Sequence, residues 1–418
     1  MKTQLHPPLV AILAPLITAV ICRKSTLPVL SGVRVTTGPG YMRLRATDLD
    51  REIDIAFGPE PDEPEFDRWV EWQPIKDAVK RDWIQIEVTP DDCMVTSFQK
   101  GVTYEVSAGS WDKDFLVEQA IKDMDSGWHP VKNDFLRNIV DLDGVCSDDP
   151  TRYVICGVFC DCENQLMIGT DGRFMNMIQT ELPKIEFALN PNNQWYRPES
   201  GFIIPRHRIF GADLLKGRPG EIRIGSSHRY CTKEEADVAG EQGTKEGPHY
   251  VEPWQRFIDL FEFKLMVGPV SVLLRTKLIQ GNYPNYKQVI PEKGGILMEI
   301  NASAVYDQIK VLKAHRLDSI HLDIEPNKLT ISRTDKGVTL AKFTVPAKVK
   351  ATMKIAVAYR GLEYALKNGF SKVFLTDEES PLLFETAKAQ LIVMPMRVMG
   401  APKPEEAEVE EPVESEVE

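Results

Sequence analysis

The chain has 418 residues, of which 43% are hydrophobic and 27% are charged, and its net charge is -12. At about 150 residues per domain, this length predicts roughly three globular domains. The composition excludes wholesale disorder, collagen and disulfide scaffolds, because glycine and proline are near average and there are only 7 cysteines. The odd number of cysteines favours reduced thiols and a cytoplasmic protein.

The chain opens with an apolar segment, residues 7–22. The segment is too short to span a membrane, Pro15 interrupts it, and Arg23 and Lys24 follow it directly. Its apolar residues recur at helical spacing, which predicts an amphipathic helix over 9–20 rather than a signal peptide. The predicted apolar face consists of Leu9, Ile12, Leu13, Leu16 and Val20.

One pattern then occurs three times, at 32–48, 157–171 and 319–335. Each copy has an alternating strand, a turn, a second alternating strand and a Thr-Asp pair, which is typical of a β-hairpin. Helical candidates flank the three hairpins, at 9–20, 132–142 and 304–316 before them and at 74–81, 206–216 and 359–367 after them. Further strands are predicted at 84–88, 221–224 and 372–375. The sequence therefore predicts an α+β fold with helices on one face of antiparallel sheet.

The spacing of the repeats shows where the second copy is longer. Successive Thr-Asp pairs are 123 and then 164 residues apart, and the surplus falls around 226–262, which we expect to be a long loop. The predicted domains are 1–124, 125–294 and 295–398. The tail, 399–418, contains eight glutamates and no apolar period, so we expect it to be disordered.

Positive charge is concentrated in the helical candidates. The five candidates after the first contain 13 basic and 6 acidic residues, although the whole chain is acidic. If these helices share one side of the molecule, that side is expected to neutralise phosphates without reading sequence. Scattered surface charge is the alternative.

Four groups of short segments follow one another along the chain, at 27–35 with 46–50, at 152–158 with 170–173, at 281–291, and at 374–377 with 393–397. They include Leu-Pro-Val-Leu-Ser-Gly, Arg-Tyr-Val-Ile-Cys-Gly, Gly-Asn-Tyr-Pro-Asn-Tyr and Val-Met-Pro-Met-Arg. In this order they resemble the bacterial sliding clamp family, the beta subunit of DNA polymerase III, over residues 1–398. The chain departs from the family at Arg173-Phe174-Met175, where His-Arg-Leu is usual, and at Gln288, where a basic residue is common.

The resemblance implies three sliding-clamp domains per chain, with antiparallel sheets outside and helices inside, and a ring-shaped homodimer around double-stranded DNA. Such a ring would tether the replicative DNA polymerase, the clamp loader and other partners for processive synthesis, without catalysis or a cofactor of its own. By the same resemblance, the DNA contacts are Arg23, Lys24, Arg152 and Tyr153. The dimer interface would join Tyr104 and Val106 of one chain to Val311 and Leu312 of the other.

The resemblance also implies an apolar pocket for partner peptides between the second and third domains. Its residues would be Ile155, Thr170, Gly172, Met175, Pro284, Val289, Ile392, Val393, Met394 and Met396. Thioether side chains suit a pocket that accepts many peptides, because they repack at little cost.

A metal-dependent nuclease and a DNA-free scaffold are the two alternative classes of function. Asp48, Asp50, Glu52 and Asp54 alternate along one strand and would hold a divalent cation in a metal-dependent nuclease, although an exposed acidic face is the commoner meaning. A scaffold protein that binds no DNA is the third class, but it leaves the basic helices unexplained.

Three cysteines and the segment 255–261 offer two further candidate sites. Cys156, Cys160 and Cys162 lack zinc-site spacing and are expected in the core. Residues 255–261, Gln-Arg-Phe-Ile-Asp-Leu-Phe, resemble the Gln and Leu-Phe peptides of clamp partners, or else form an amphipathic element of their own domain.

Overall fold

The protein is described here by a computed structural model that covers residues 1–58, 65–90, 92–113, 127–184, 201–229, 255–292, 295–312, 319–335 and 338–396. The chain divides into two compact units, Met1–Tyr286 (unit 1) and Lys287–Glu418 (unit 2). The predicted acidic tail, 399–418, lies outside the described residues. The predicted boundaries of three domains stay a prediction.

The described residues of unit 1 form three α-helices and 17 strands. The helices are α1 Pro7–Val20, α2 Trp72–Ala78 and α3 Phe135–Asp143. The strands are β1 Lys2–Leu5, β2 Gly32–Gly38, β3 Tyr41–Thr47, β4 Arg51–Phe57, β5 Phe66–Glu71, β6 Trp83–Val88, β7 Cys93–Gln99, β8 Val102–Ser107, β9 Ser110–Asp112, β10 His129–Val131, β11 Gly157–Asp161, β12 Leu166–Thr170, β13 Phe174–Gln179, β14 Gly201–Pro205, β15 Gly220–Arg229, β16 Gln255–Val267 and β17 Val270–Lys277.

The strands of unit 1 form antiparallel sheets. The largest has nine described strands in the order β10-β15-β16-β17-β4-β3-β2-β5-β9, and a second has the order β1-β6-β7-β8. A third runs β14-β11-β12-β13. Strand β17, from the second repeat, pairs with β4 of the first repeat, with Val270 opposite Phe57 and Thr276 opposite Arg51. The nine-stranded sheet therefore joins the two repeats into one unit.

Unit 2 contains the third repeat. Its helices are α4 Ala302–Leu312 and α5 Tyr359–Lys367. Its strands are β18 Ile296–Ile300, β19 Ser319–Glu325, β20 Lys328–Asp335, β21 Val338–Lys348, β22 Met353–Ala358, β23 Lys372–Leu375, β24 Leu382–Glu385 and β25 Ala389–Val393. They pair in the order β25-β24-β23-β18-β21-β20-β19-β22.

The three predicted hairpins are confirmed as β2–β3, β11–β12 and β19–β20. The first turns at Gly40, whose φ of +73° is a conformation that glycine adopts without a steric cost. The third turns at Asn327 with φ +63°, which asparagine tolerates better than most residues. Helices α1 and α3 pack on strands of their own repeats, so the predicted α+β class is confirmed.

Most predicted helices are present, with two corrections. Helix α5 has the predicted bounds, Tyr359–Lys367, but the predicted helix over 206–216 is wrong. Two 3₁₀ turns, Arg208–Gly211 and Asp213–Leu215, replace it, because Gly211 interrupts a segment whose buried residues do not recur at helical spacing. In α1, Ile12 is 52% exposed and Ile17 is buried, so the apolar face is shifted from the prediction.

The predicted loop over 226–262 is shorter than expected. Strand β15 continues to Arg229 and β16 begins at Gln255, and these two residues are paired. A register shift between Gly225 and Ser226 carries the pairing past the predicted end of the strand. Residues 230–254 lie outside the described residues, and 255–261 are part of a strand within their own sheet.

Candidate nucleic-acid and partner interfaces

Arg23 and Lys24 lie in the turn after α1, and both are exposed. No ion pair involves either of them among the residues that the structure describes. The end of α1 is held from the second repeat, because Arg208 donates from Nε to the Ala19 carbonyl at 3.1 Å and from Nη2 to the Thr18 carbonyl at 2.9 Å. A guanidinium at a helix C-terminus satisfies carbonyls that have no partner within the helix. Both cations are thus presented from an anchored helix end.

Arg152 and Tyr153 lie in a 3₁₀ turn, Pro150–Ile155. The Asp149 carboxylate begins the turn by accepting from the Thr151 backbone N–H at 3.0 Å. Tyr153 is 55% exposed, as a side chain that contacts DNA requires. Arg152 differs, because its Nη1 donates to the Asp171 carbonyl at 2.9 Å.

An open cavity of about 1030 Å³ lies between these two predicted DNA loops. Its lining includes Cys22, which is next to Arg23, together with Tyr153 and His207. Burial, together with the nearby Arg51 charge, lowers the pKa of His207 to about 4. The histidine is therefore neutral near pH 7 and adds no positive charge to this surface.

The net positive charge of the predicted helices is smaller than the count from the sequence, because carboxylates outside these segments pair with two of their cations. Lys132 pairs with Glu181, and Arg206 pairs with Asp143 at 2.8 Å and with Asp148. These three carboxylates lie outside the counted segments, so the excess of seven positive charges falls to four. Lys313 and Arg316 lie outside the described residues.

In unit 1, the predicted pocket residues lie on three segments. Thr170 and Gly172 form the turn between β12 and β13, while Ile155 and Met175 are buried at 3% and 4% exposure. Pro284 is exposed in the segment 281–286, which is anchored on either side of it. There the Tyr283 ring stacks on Phe159 at 4.6 Å, and the Tyr286 hydroxyl donates to buried Asp161 at 2.7 Å.

In unit 2, a cavity of about 520 Å³ contains Val289 and Met394 from the predicted set. Three further lining residues of this cavity, Thr376, Ser380 and Pro381, were not predicted, although Thr376 belongs to the motif at 374–377. The Asp377 carboxylate shapes that loop by accepting from the backbone N–H groups of residues 379 and 380.

The other predicted residues of unit 2 differ in exposure. Ile392 and Val393 have at most 1% exposure, so they belong to the core beside the cavity rather than to an open surface. The backbone N–H of Met396 donates to the Ala356 carbonyl at 2.7 Å.

The predicted dimer residues also differ from one another. Strand β8 is an edge of its sheet and is exposed throughout, with Tyr104 at 38% and Val106 at 49%. The Arg81 guanidinium lies 3.8 Å above the Tyr104 ring. Val311 is 65% exposed, whereas Leu312 is buried at 1% exposure in the single chain, and the place of both in a dimer interface stays a prediction.

No model of a known protein family matches the chain. It is 22% identical over 262 residues to a curated beta sliding clamp of Chlamydia trachomatis, a match that covers 60% of this chain and 52% of the relative. The chain thus spans about half the length of that curated relative. Among solved structures, the DNA polymerase III subunit beta of Pseudomonas aeruginosa matches with a TM-score of 0.72 at 18% identity, over 95% of this chain and 100% of that one.

Pol III beta of Caulobacter crescentus matches with a TM-score of 0.73 at 17% identity, over 95% of this chain and 100% of that one. The sliding clamp of Bartonella birtlesii, bound to griselimycin, matches with a TM-score of 0.73 at 19% identity and the same coverage. This is the sliding-clamp fold. The fold predicted from the resemblance is therefore confirmed.

Within the sliding-clamp fold, the carboxylates considered as a metal site are held by cations. The pairs are Asp48–Arg51 at 3.0 Å, Asp50–Lys277 at 3.0 Å, Glu52–Arg275 at 2.8 Å and Asp54–Arg43 at 2.6 Å. Burial raises the pKa of Glu52, and Arg275 opposes that rise. A metal ion would have to displace these guanidinium and ammonium groups, so the strand is built for ion pairing.

The cysteines are free wherever the structure describes them. Cys160 is buried as predicted, whereas Cys156 and Cys162 are half-buried and lie just outside strand β11. Burial raises the pKa of Cys146 to about 12 and that of Cys162 to about 12, which keeps both thiols protonated. Within the described ranges, no three His, Cys, Asp or Glu side chains are grouped to hold a metal ion.

Proposed function

We propose that this chain is a DNA sliding clamp, an accessory protein without catalysis of its own. Two copies close into a ring around duplex DNA and tether the replicative polymerase and other partners. The observation that carries the proposal is the sliding-clamp fold over 95% of the chain. Exposed Arg23, Lys24 and Tyr153 support it, because they offer contacts to DNA without base readout.

The pairing inside unit 1 supports a specific mode of closure. Strand β17 ends the second repeat and pairs with β4, the strand that follows the first hairpin. Among the described residues, the corresponding strands are β8, an edge strand of the first repeat, and β21, which follows the third hairpin. Strand β21 pairs with β18 only at Ala347 and Lys348, so its residues 338–346 have a described neighbour, β20, on one side alone. On β21, Val338 is 63% and Leu340 is 42% exposed. We therefore place β8 of one copy against β21 of the other, beside Val311, which satisfies two exposed strand edges.

We propose two surfaces for partner peptides, each within its own unit: the turn with Thr170 and Gly172 in unit 1, and the cavity that contains Val289 and Met394 in unit 2. A half-buried methionine in a cavity suits peptides of several sequences, since its flexible side chain repacks. The Bartonella clamp bound to griselimycin is a solved example of this fold with a bound ligand.

The proposed location is the cytoplasm, which the six described free cysteines favour. None of the helices that the structure describes is long and apolar enough to cross a membrane.

The deciding experiment separates topological retention from ordinary DNA binding. Six to ten phosphate contacts lose roughly 10³–10⁵ in affinity between 50 and 200 mM salt, but a closed ring is held by topology. Loaded on nicked circular DNA by its cognate loader, the protein should survive a 200 mM salt wash and slide off after one cut linearises the circle. Gel filtration before and after cutting measures this. Equal loss from circle and line would contradict the proposal.

The closure itself has a separate test in sedimentation. The wild-type chain should be a dimer at micromolar concentration. Val106→Glu should produce monomers, because it places a charge on the edge strand β8. Met266→Glu is the matched control, since Met266 is also exposed, at 53%, but lies on the interior strand β16. Equal effects of the two variants would remove β8 from the interface.

A further inference from the structure

Arg152 contacts the turn that begins the predicted partner site. Its Nη1 donates to the Asp171 carbonyl at 2.9 Å, and its guanidinium lies against Gly172. A Cβ atom on Gly172 would lie 2.1 Å from Nη2 of Arg152 and 3.0 Å from its Cζ, so only glycine leaves room for this contact. We call the contact of Arg152 with Asp171 and Gly172 the Arg152 clasp.

The turn does not need the clasp in order to fold. Thr170 Oγ1 accepts from the Gly172 N–H at 3.0 Å and donates to the Phe174 carbonyl at 2.8 Å. The Asp171 carboxylate accepts from the backbone N–H groups of Arg173 and Phe174, at 2.8 and 3.1 Å. These local bonds define the shape of the turn, so the clasp is left to hold it in place and to slow its opening.

The first repeat contains the same turn without a clasp. There Thr47 Oγ1 accepts from the Leu49 N–H at 3.0 Å and donates to the Arg51 carbonyl at 2.8 Å. Asp48 likewise accepts from the N–H groups of residues 50 and 51, at 3.0 and 2.7 Å. Leu49 occupies the position of Gly172 with a φ of +80°, and it is 49% exposed.

The other half of the clasp is also absent from the first repeat. Aligning the segments at 27–32 and 152–157 places Leu27 at the position of Arg152. Arginine and glycine thus occur together in the second repeat, and two leucines stand in their places in the first. The clasp is therefore a feature of the second repeat that the first repeat lacks.

The clasp joins the turn to the predicted DNA loop. Arg152 lies within that loop, where its backbone leaves helical values at φ -107° and ψ 43°. The loop is fixed on both sides, since Arg152 N–H donates to the Asp149 carbonyl and Cys156 N–H donates to the Tyr153 carbonyl, each at 3.0 Å. A turn bonded to this loop is held in one position relative to the rest of the repeat.

We propose that Arg152 is a positioning residue of the partner-peptide site, which holds the turn with Thr170 and Gly172 in place for the peptide, and not a phosphate contact. This inference rests on the proposed function. The positive charge of Arg152 is not what the clasp uses. It uses one N–H donor and a flat group that fits against Gly172.

Two substitutions at Arg152 separate the clasp from phosphate binding. Arg152→Gln removes the charge but keeps a flat group with an N–H donor, whereas Arg152→Lys keeps the charge and loses the flat group. With a fluorescent heptapeptide, Gln-Arg-Phe-Ile-Asp-Leu-Phe, as the probe, Arg152→Lys should bind about fivefold more weakly and Arg152→Gln within about twofold of wild type. The opposite order in DNA affinity, with peptide binding unchanged in both variants, would overturn the inference.

Gly172→Ala tests the clasp at its glycine. The new Cβ should displace the Arg152 guanidinium and weaken binding of the probe at least as much as Arg152→Lys does. Gly217→Ala is the matched control, because Gly217 also has positive φ, at +65°, but a Cβ there meets no atom within 4 Å. Equal binding by the Gly172→Ala variant and the wild type would contradict the clasp.

Hydrogen exchange of the turn gives a readout that does not depend on the peptide. The amides of Arg173 and Phe174 should exchange at least about threefold faster in Arg152→Lys than in Arg152→Gln. If the wild-type chain binds no probe but exchange follows this order, the partner site of the proposed function fails while the clasp stands. If exchange is the same in both variants, the clasp is wrong.

Discussion

Replacing Glu262 by glutamine should destabilise unit 1, because this carboxylate is the centre of a charge ladder across the nine-stranded sheet. Glu262 is buried at 0% exposure. It pairs with Arg223 on one side and with Arg275 on the other, at 2.6 Å from Nη2. The ladder continues from Arg275 to Glu52 at 2.8 Å and from Glu52 to Arg45 at 3.6 Å. Its members lie on five neighbouring strands, β15, β16, β17, β4 and β3.

The magnitude follows from burial. Removing one partner of a buried ion pair costs about 3–5 kcal/mol when the charge left behind has no compensation. Here the arginines retain 27% and 30% exposure, Arg223 also lies 4.5 Å from the Trp128 ring, and Arg275 keeps Glu52. Partial hydration and these remaining partners lower the expected cost to about 2 kcal/mol. For unit 1, Met1–Tyr286, an unfolding entropy of about 2.1 cal/mol/K per residue converts this cost into a decrease in Tm of about 3 °C.

Thermal unfolding measured by calorimetry and circular dichroism tests this value. Asp50→Asn is the matched control. Like the Glu52–Arg275 pair, the Asp50–Lys277 pair links β17 to the β4 segment, but it lies at the exposed end, where Asp50 directly precedes β4. Surface pairs are worth about 0–1 kcal/mol, so the control should lower Tm by at most about 2 °C. If Glu262→Gln lowers Tm no more than the control does, the buried ladder does not hold the two repeats together and the reasoning is wrong.

Three further predictions follow from single side chains. Met394→Ala should weaken binding of the heptapeptide about 5–30-fold, because it removes apolar contacts worth about 1–2 kcal/mol from the unit 2 cavity, whereas Met266→Ala should leave the affinity unchanged; a titration decides. His207 should stay neutral in NMR titration down to about pH 5, and because its folded pKa lies below the unfolded value, the free energy of unfolding should decrease as pH falls below about 6.5; a titration midpoint near 6.5 would contradict this. Tyr286→Phe should cost about 1.5–3 kcal/mol in urea denaturation, since it takes a donor from the buried carboxylate of Asp161; a loss below about 0.5 kcal/mol would show that water replaces the hydroxyl.

The sequence predicted the hairpins well, because alternation and turn residues are local signals. Strands β2, β11 and β19 begin at the first residues of the predicted repeats, Gly32, Gly157 and Ser319. The helix over 206–216 failed for a tertiary reason. Ile209 and Phe210 are adjacent and both buried, and Arg208 turns toward the end of α1, so no helical face forms.

The predicted partner site was less accurate than the fold, because side-chain placement depends on packing across the repeat. The Thr-Asp pair at 170–171 is followed by a turn in which Gly172 has positive φ, a feature that was not predicted from the sequence. Nothing in the local sequence indicates that Arg152, nineteen positions earlier, reaches the Asp171 carbonyl. Ile392 and Val393 look like alternating strand residues, of which one would face outward, but the strand is buried on both faces.

Charge counting on helices overestimates the surface for DNA, because two of the counted arginines, Arg206 and Arg208, bind carbonyls at or just after helix ends. Arg333, which lies outside the counted segments, does the same. Arg208 binds the last carbonyls of α1, Arg206 reaches the carbonyls of Cys146 and Ser147 just after α3, and buried Arg333 donates to the Leu312 carbonyl at the end of α4. Each cation satisfies the negative end of a helix that would otherwise repel phosphate. The proposed contacts for DNA are then few and exposed, with Arg23 and Lys24 foremost. A protein that must slide gains from weak phosphate contacts, and in the proposed ring the retention comes from closure instead.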